Sequence, residues 1–86
     1  MTRYKIKIVS RAKKQIENLP EKIQLRILSV IIDLIAKNPY IGKSLKGGFK
    51  GHYSYRVSDY RIIYIIVKQE ILVQIINVMH RREAYR

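Results

Sequence analysis

The stretch HYSYRVSDYRIIYIIVKQEILVQIINVM, residues 52–79, decides the fold. From His52 the residue types alternate, with Tyr53, Tyr55 and Val57 on one face and His52, Ser54 and Arg56 on the other, which is the period of an extended strand. Ser58-Asp59 marks a turn, Tyr60 to Val67 is almost wholly β-branched or aromatic, and Lys68-Gln69-Glu70 marks a second turn before Ile71 to Met79. The run from Tyr60 is too uniformly apolar for a strand with one wet face, so it is predicted as a central strand buried on both sides. Three strands joined by two short turns make an antiparallel meander.

Outward from the meander, Arg3 to Val9 also alternates, with Tyr4, Ile6 and Ile8 opposed to Arg3, Lys5 and Lys7, and reads as a fourth strand. Ser10 is the expected N-cap of a short basic helix carrying Ala12, Ile16 and Leu19, which Pro20 interrupts. Pro20 and Glu21 suit the first turn of a second helix running to Lys37, with Ile23, Ile27, Val30, Ile31 and Leu34 on its packing face. Leu28, Ile32 and Ile35 widen that stripe beyond one packing face, so a second side of this helix is covered either by the domain itself or by a partner. Asn38-Pro39 ends the helix, and Lys43 to Gly51 is expected as a flexible basic loop. The expected architecture is α+β in the order β-α-α-β-β-β: two N-terminal helices on one face of a mainly antiparallel four-stranded sheet, residues 1–86 forming one domain.

Composition narrows the function. Among 86 residues, 18 are Lys or Arg and 6 are Asp or Glu, a formal charge of +12, while 48% are hydrophobic. The charge therefore sits on a folded surface and suits a polyanion, nucleic acid first, although an anionic membrane surface or an acidic protein would feel the same field. With no cysteine and two histidines, neither a disulfide framework nor a dedicated metal site is expected. The glycines around Lys46 and Lys50 lack the spacing of a nucleotide-binding P-loop. No continuous apolar leader or membrane-spanning run occurs, which implies a cytoplasmic protein.

The chemistry-bearing residues gather after the last strand, in His80-Arg81-Arg82-Glu83-Ala84-Tyr85-Arg86. Arg56, Arg61 and Arg81 fall at the ends of successive strands of the meander, where they converge on one end as a candidate phosphate site. Solvated strand-end arginines are the plain alternative. His80 is a candidate acid or base, an imidazole having an ordinary pKa of about 6.5. Tyr85 serves as a base only where cations stabilise its phenolate, and is otherwise a stacking or packing group. Lys46, Lys50 and Arg82 are candidate backbone-phosphate contacts, joined by His52, Ser54 and Arg56 on the polar side of their strand.

Leu45-Lys46-Gly47, Tyr55-Arg56-Val57, Asp59-Tyr60-Arg61-Ile62-Ile63-Tyr64 and His80-Arg81-Arg82-Glu83-Ala84-Tyr85, with Leu19-Pro20 and Asn38-Pro39, resemble the RelE toxins of the RelE/ParE superfamily over essentially the whole chain. The resemblance implies a toxin of a type II toxin-antitoxin pair: a metal-independent endoribonuclease, without cofactor, that enters the ribosomal A site and cleaves mRNA there. It implies that Arg61 and Arg81 stabilise the scissile phosphate, that Tyr85 places or activates the 2′-hydroxyl, and that an acidic RelB-like antitoxin wraps the toxin. His52 and Ser54 stand where the best-known member carries a lysine pair, leaving that share of the work to Lys46, Lys50 or His80, or to none. That departure keeps open a ParE-like, non-enzymatic poison of DNA gyrase on the same scaffold, and an inactive nucleic-acid-binding module.

Overall fold

The computed structural model describes residues 3–82, with the side chain of Phe49 excepted. Strand β1 (Lys5–Ile8) leads into helix α1 (Ser10–Glu17) and helix α2 (Glu21–Val30), which a π-helical turn (Ile31–Ile35) extends. Strands β2 (Lys43–Ser44), β3 (His52–Val57), β4 (Tyr60–Val67) and β5 (Leu72–His80) follow. They form one sheet in the order β1-β5-β4-β3-β2, with β1 parallel to β5 and the other pairs antiparallel. This is the expected α+β fold with one strand more than four. The extra strand is β2, too short for a periodicity to show; it lies inside the segment read as loop and pairs Lys43 with Ser54 and Ser44 with Tyr53.

Both helices pack on one face. Ala12 and Ile16 from α1, with Ile27, Ile31 and Ile35 from α2 and its extension, meet Val57, Ile62, Tyr64, Val73, Ile75 and Val78 in one buried cluster. Ile62, Ile63 and Tyr64 are buried in succession, so β4 is covered on both faces at its centre, as its composition predicts.

Two sequence-based expectations for the helices change. Ser10 is not an N-cap: Val9 holds that position in extended geometry, and Ser10 is the first helical residue. In the second helix the stripe rotates at its end, because the Ala36 N–H donates to the Ile31 carbonyl at 2.9 Å, five residues back rather than four. The wider turn sends Leu34 out to 44% exposure and carries Ile35 to complete burial, the reverse of the expected assignment.

The sheet contains a further irregularity. Ile63 of β4 faces Asn77 and Tyr64 faces Ile75, so Ile76 is an extra residue, a β-bulge in β5. It lies just past the point where β1 ends, at the Ile8–Ile75 pair. Beyond it the outer edge of β5 has no strand neighbour among the described residues, and Gln15 of α1 takes that place: its Oε1 accepts from the Val78 N–H at 2.7 Å, and its Nε2 donates to Asn77 Oδ1 at 3.2 Å.

Candidate functional site

The pairing registers place the expected site residues. Tyr53, Tyr55 and Val57 face the helices, opposite Tyr64, Ile62 and Tyr60, so His52, Ser54 and Arg56 alternate onto the helix-free face. There Arg56 sits directly across from Arg61, and Arg61 across from Met79. One residue past the end of β5, the Arg81 N–H donates to the Asp59 carbonyl at 2.7 Å, continuing the ladder and carrying Arg81 to the Arg61 side by alternation. Arg56, Arg61 and Arg81 are thus brought together at one end of the helix-free face.

Such a group can bind an anion. Like charges placed directly opposite across an antiparallel pair destabilise a sheet, and an oxyanion between them reverses the sign of that interaction. Arg56 is exposed, whereas Arg61 is half-buried with its Nε out of solvent, which limits its rotamers and orients its fork. Arg81 Nε lies 4.0 Å from Asp59 Oδ1 in an exposed pair, a contact that orients Arg81 and adds little stability. Three guanidiniums in this arrangement suit a phosphodiester that gains negative charge as it reacts.

His80 goes elsewhere. It pairs with Tyr60 in register, its ring meets the Tyr60 ring edge-on at 5.3 Å, and both point to the helix side, beside Leu19 and Val78. The structure does not bring His80 onto the arginine face. Tyr85 lies outside the described residues. Arg82 is exposed, and its N–H donates to His80 Nδ1 at 3.2 Å.

The remaining expected residues lie farther off. Lys46 and Lys50 are exposed in the β2–β3 connection, before the start of β3, which itself lies about 13 Å from Arg56 by strand rise. That separation keeps them from sharing proton transfer with the arginines. His52 is half-buried at that same end. Ser54 departs from the expected wet polar side: it is only 4% exposed, and its Oγ has no hydrogen-bond partner among the described residues.

Sequence reasoning missed Asn18 and Gln15. Together with Leu19, Tyr60, His80 and Arg82 they line a cavity of about 490 Å³ between the end of α1 and the end of β5. No motif marks them, because the cavity arises where α1 packs on the β5 edge beyond the end of β1. Among the described residues no group of three His, Asp or Glu side chains is placed to hold a metal ion, and no helix is long and apolar enough to cross a membrane.

Comparison with known proteins places the chain and its fold. Residues 6–85 match the family model described as ParE toxin of type II toxin-antitoxin system, parDE. The chain is 32% identical over 84 residues to Toxin RelE of Mycobacterium tuberculosis, covering 96% of this chain and 87% of that one. Its fold superposes on the crystal structure of a RelBE toxin-antitoxin complex from Mycobacterium tuberculosis with a TM-score of 0.89 at 26% identity, covering 96% of this chain and 97% of that one. It also superposes on an archaeal RelE-RelB complex from Pyrococcus horikoshii with a TM-score of 0.79 at 27% identity, covering 98% and 100% of the two chains.

Proposed function

The chain belongs to the RelE/ParE family of type II toxin-antitoxin toxins, and from that premise we propose that it is a ribosome-dependent endoribonuclease that cuts mRNA in the A site. The observation that carries this reading is the convergence of Arg56, Arg61 and Arg81 on one end of the helix-free face.

In this mechanism the mRNA supplies its own nucleophile. A 2′-hydroxyl attacks the adjacent phosphorus in line, the bond to the 5′-oxygen of the next nucleotide breaks, and the products are a cyclic phosphate and a free 5′-hydroxyl. Arg61 and Arg81 stabilise the extra negative charge of the transition state, with donors already in place before the reaction. Arg56 and Arg82, with Lys46 and Lys50 farther along, hold the backbone phosphates. With the His80 ring turned to the helix side, proton transfer falls to Tyr85. A substrate that brings the attacking group needs no deep pocket, which accords with a site spread over the open end of a sheet.

The cognate partner in this reading is an acidic RelB-like antitoxin; chains of similar structure occur in RelBE and RelE-RelB complexes. Primer extension on mRNA in programmed ribosomes tests the reading: added protein should produce cuts at the A-site codon. A gyrase poison on the same scaffold is the reading that the name of the matching family model and the His52 and Ser54 departures favour. It predicts intact mRNA and trapped gyrase-DNA complexes in the same extract.

A further inference from the structure

We propose that the cavity between α1 and the end of β5 receives a single unstacked RNA base next to the cleaved phosphate, and that Asn18 and His80 read its edge. The inference rests on the RNA-cleaving reading above and adds a specificity site on the other side of the strand.

The walls of the cavity divide into surface and readers. Leu19 and Val78 give apolar area, and the Tyr60 and His80 rings, packed edge to face, give an aromatic wall. A flat base is recognised by such surfaces together with a few fixed hydrogen-bonding groups. At about 490 Å³ the space is within the range of small-ligand sites.

The polar groups are not equivalent. The Gln15 amide is held by the β5 edge, its oxygen on the Val78 N–H and its nitrogen on Asn77, so it fixes the shape of the cavity. His80 Nδ1 accepts from the Arg82 N–H, which assigns the proton of a neutral ring to Nε2 and leaves Nε2–H as a donor. Asn18 closes α1 with its backbone N–H on the Lys14 carbonyl, and its side chain is exposed beside the cavity with both a donor and an acceptor. A fixed donor and an amide favour a base edge that carries acceptors.

Placement links this cavity to the phosphate site. His80 and Arg81 are consecutive, and alternation sends the first to the cavity and the second to the arginine face. A nucleotide whose phosphate lies against Arg61 and Arg81 has its base within reach of the strand end, where only the thickness of β5 separates the two sites. Arg82, which also lines the cavity, can hold a phosphate flanking the base.

The test uses the free protein without ribosomes. Four RNA trinucleotides, uncleavable through a 2′-deoxy central nucleotide and differing in one base, are titrated and followed by NMR. Amides of Asn18, Leu19 and His80 should shift, with affinity depending on the varied base. The double variant Asn18→Ala with His80→Phe, which keeps the ring packing but removes the readers, should bind on the order of tenfold more weakly and lose the preference. Shifts confined to the arginine face, or an unchanged preference in the double variant, overturn the inference. So do shifts at the cavity seen only with an antitoxin peptide. Base-dependent binding in a protein that cuts no mRNA on ribosomes would sustain the cavity assignment while removing the nuclease reading.

Discussion

Arg56 and Arg61 face each other directly across the β3–β4 hairpin, two guanidinium-bearing residues in one cross-strand pair. A fold selected for stability alone would place an opposite charge or a β-branched residue at one of them. Arg56→Thr should therefore raise stability by about 0.2–1 kcal/mol at low ionic strength, with a smaller gain in high salt, while weakening RNA binding. Denaturant titrations at two salt concentrations check the first effect, and ribosome pelleting checks the second. Lower stability in the variant at low salt would show that the pair is not a repulsive one.

Gly42 and Tyr64 form a second tight relationship, at the far end of the sheet. The Tyr64 hydroxyl donates to the Pro39 carbonyl at 2.6 Å, and a Cβ at Gly42 would overlap that hydroxyl and crowd the Ser54 carbonyl. Gly42→Ala should cost about 1–3 kcal/mol through overpacking. Gly48, where a Cβ meets nothing within 4 Å, supplies the control. Equal melting temperatures for Gly42→Ala and Gly48→Ala would mean the chain relaxes around the methyl group.

Tyr64 also sets an alkaline limit. Burial pushes its phenol from 10.0 up to about 12, only partly offset by its backbone contact at Gly42. The unfolded chain ionises this group near pH 10 while the folded chain keeps it neutral, so its contribution is whole below that pH and is lost as pH rises towards about 12, on the order of 2 kcal/mol. Unfolding free energies at about pH 9 and about pH 11.5 should differ more in the wild type than in Tyr64→Phe. Equal slopes would assign the alkaline loss to other groups.

On α2 and its π-helical extension, Leu25 is 62% exposed and Ile32 51% exposed, and with the partly buried Leu28 they form a stripe at the spacing of one helix face. Ile35 does not belong to it, being wholly buried. This stripe is the expected docking surface for an acidic antitoxin. Leu25→Asp with Ile32→Asp should weaken that complex tenfold or more, about 1.4 kcal/mol, at little cost to the free fold. Calorimetry with the purified antitoxin is the measurement, and unchanged affinity would place the antitoxin elsewhere.

The sequence carried most of this fold because period-two alternation survives wherever a strand has one buried face. Lys5 to Ile8 is such a strand, His52 to Val57 keeps the alternation although Ser54 is buried on its other face, and Tyr60 to Val67 betrays its central position by losing it. What stayed hidden was set by tertiary context. The π-helical turn that exchanges Leu34 for Ile35, the bulge at Ile76 and the two-residue β2 depend on neighbours that no local pattern specifies. The candidate site divides in the same way. Strand-end arginines could be brought together from the meander alone, but the face to which His80 turns depends on register, and a bulge four residues earlier resets that register.

The central claim is that Arg81 supplies a donor to the transition state of mRNA cleavage. Its most direct test is primer extension on programmed ribosomes with wild-type protein and Arg81→Ala, alongside melting curves of both. Wild-type protein should cut at the A-site codon. Arg81→Ala should cut about 100- to 1,000-fold more slowly, the loss expected for a transition-state donor, and melt with the wild type because the side chain is 56% exposed. Cleavage by Arg81→Ala at near the wild-type rate would contradict the account.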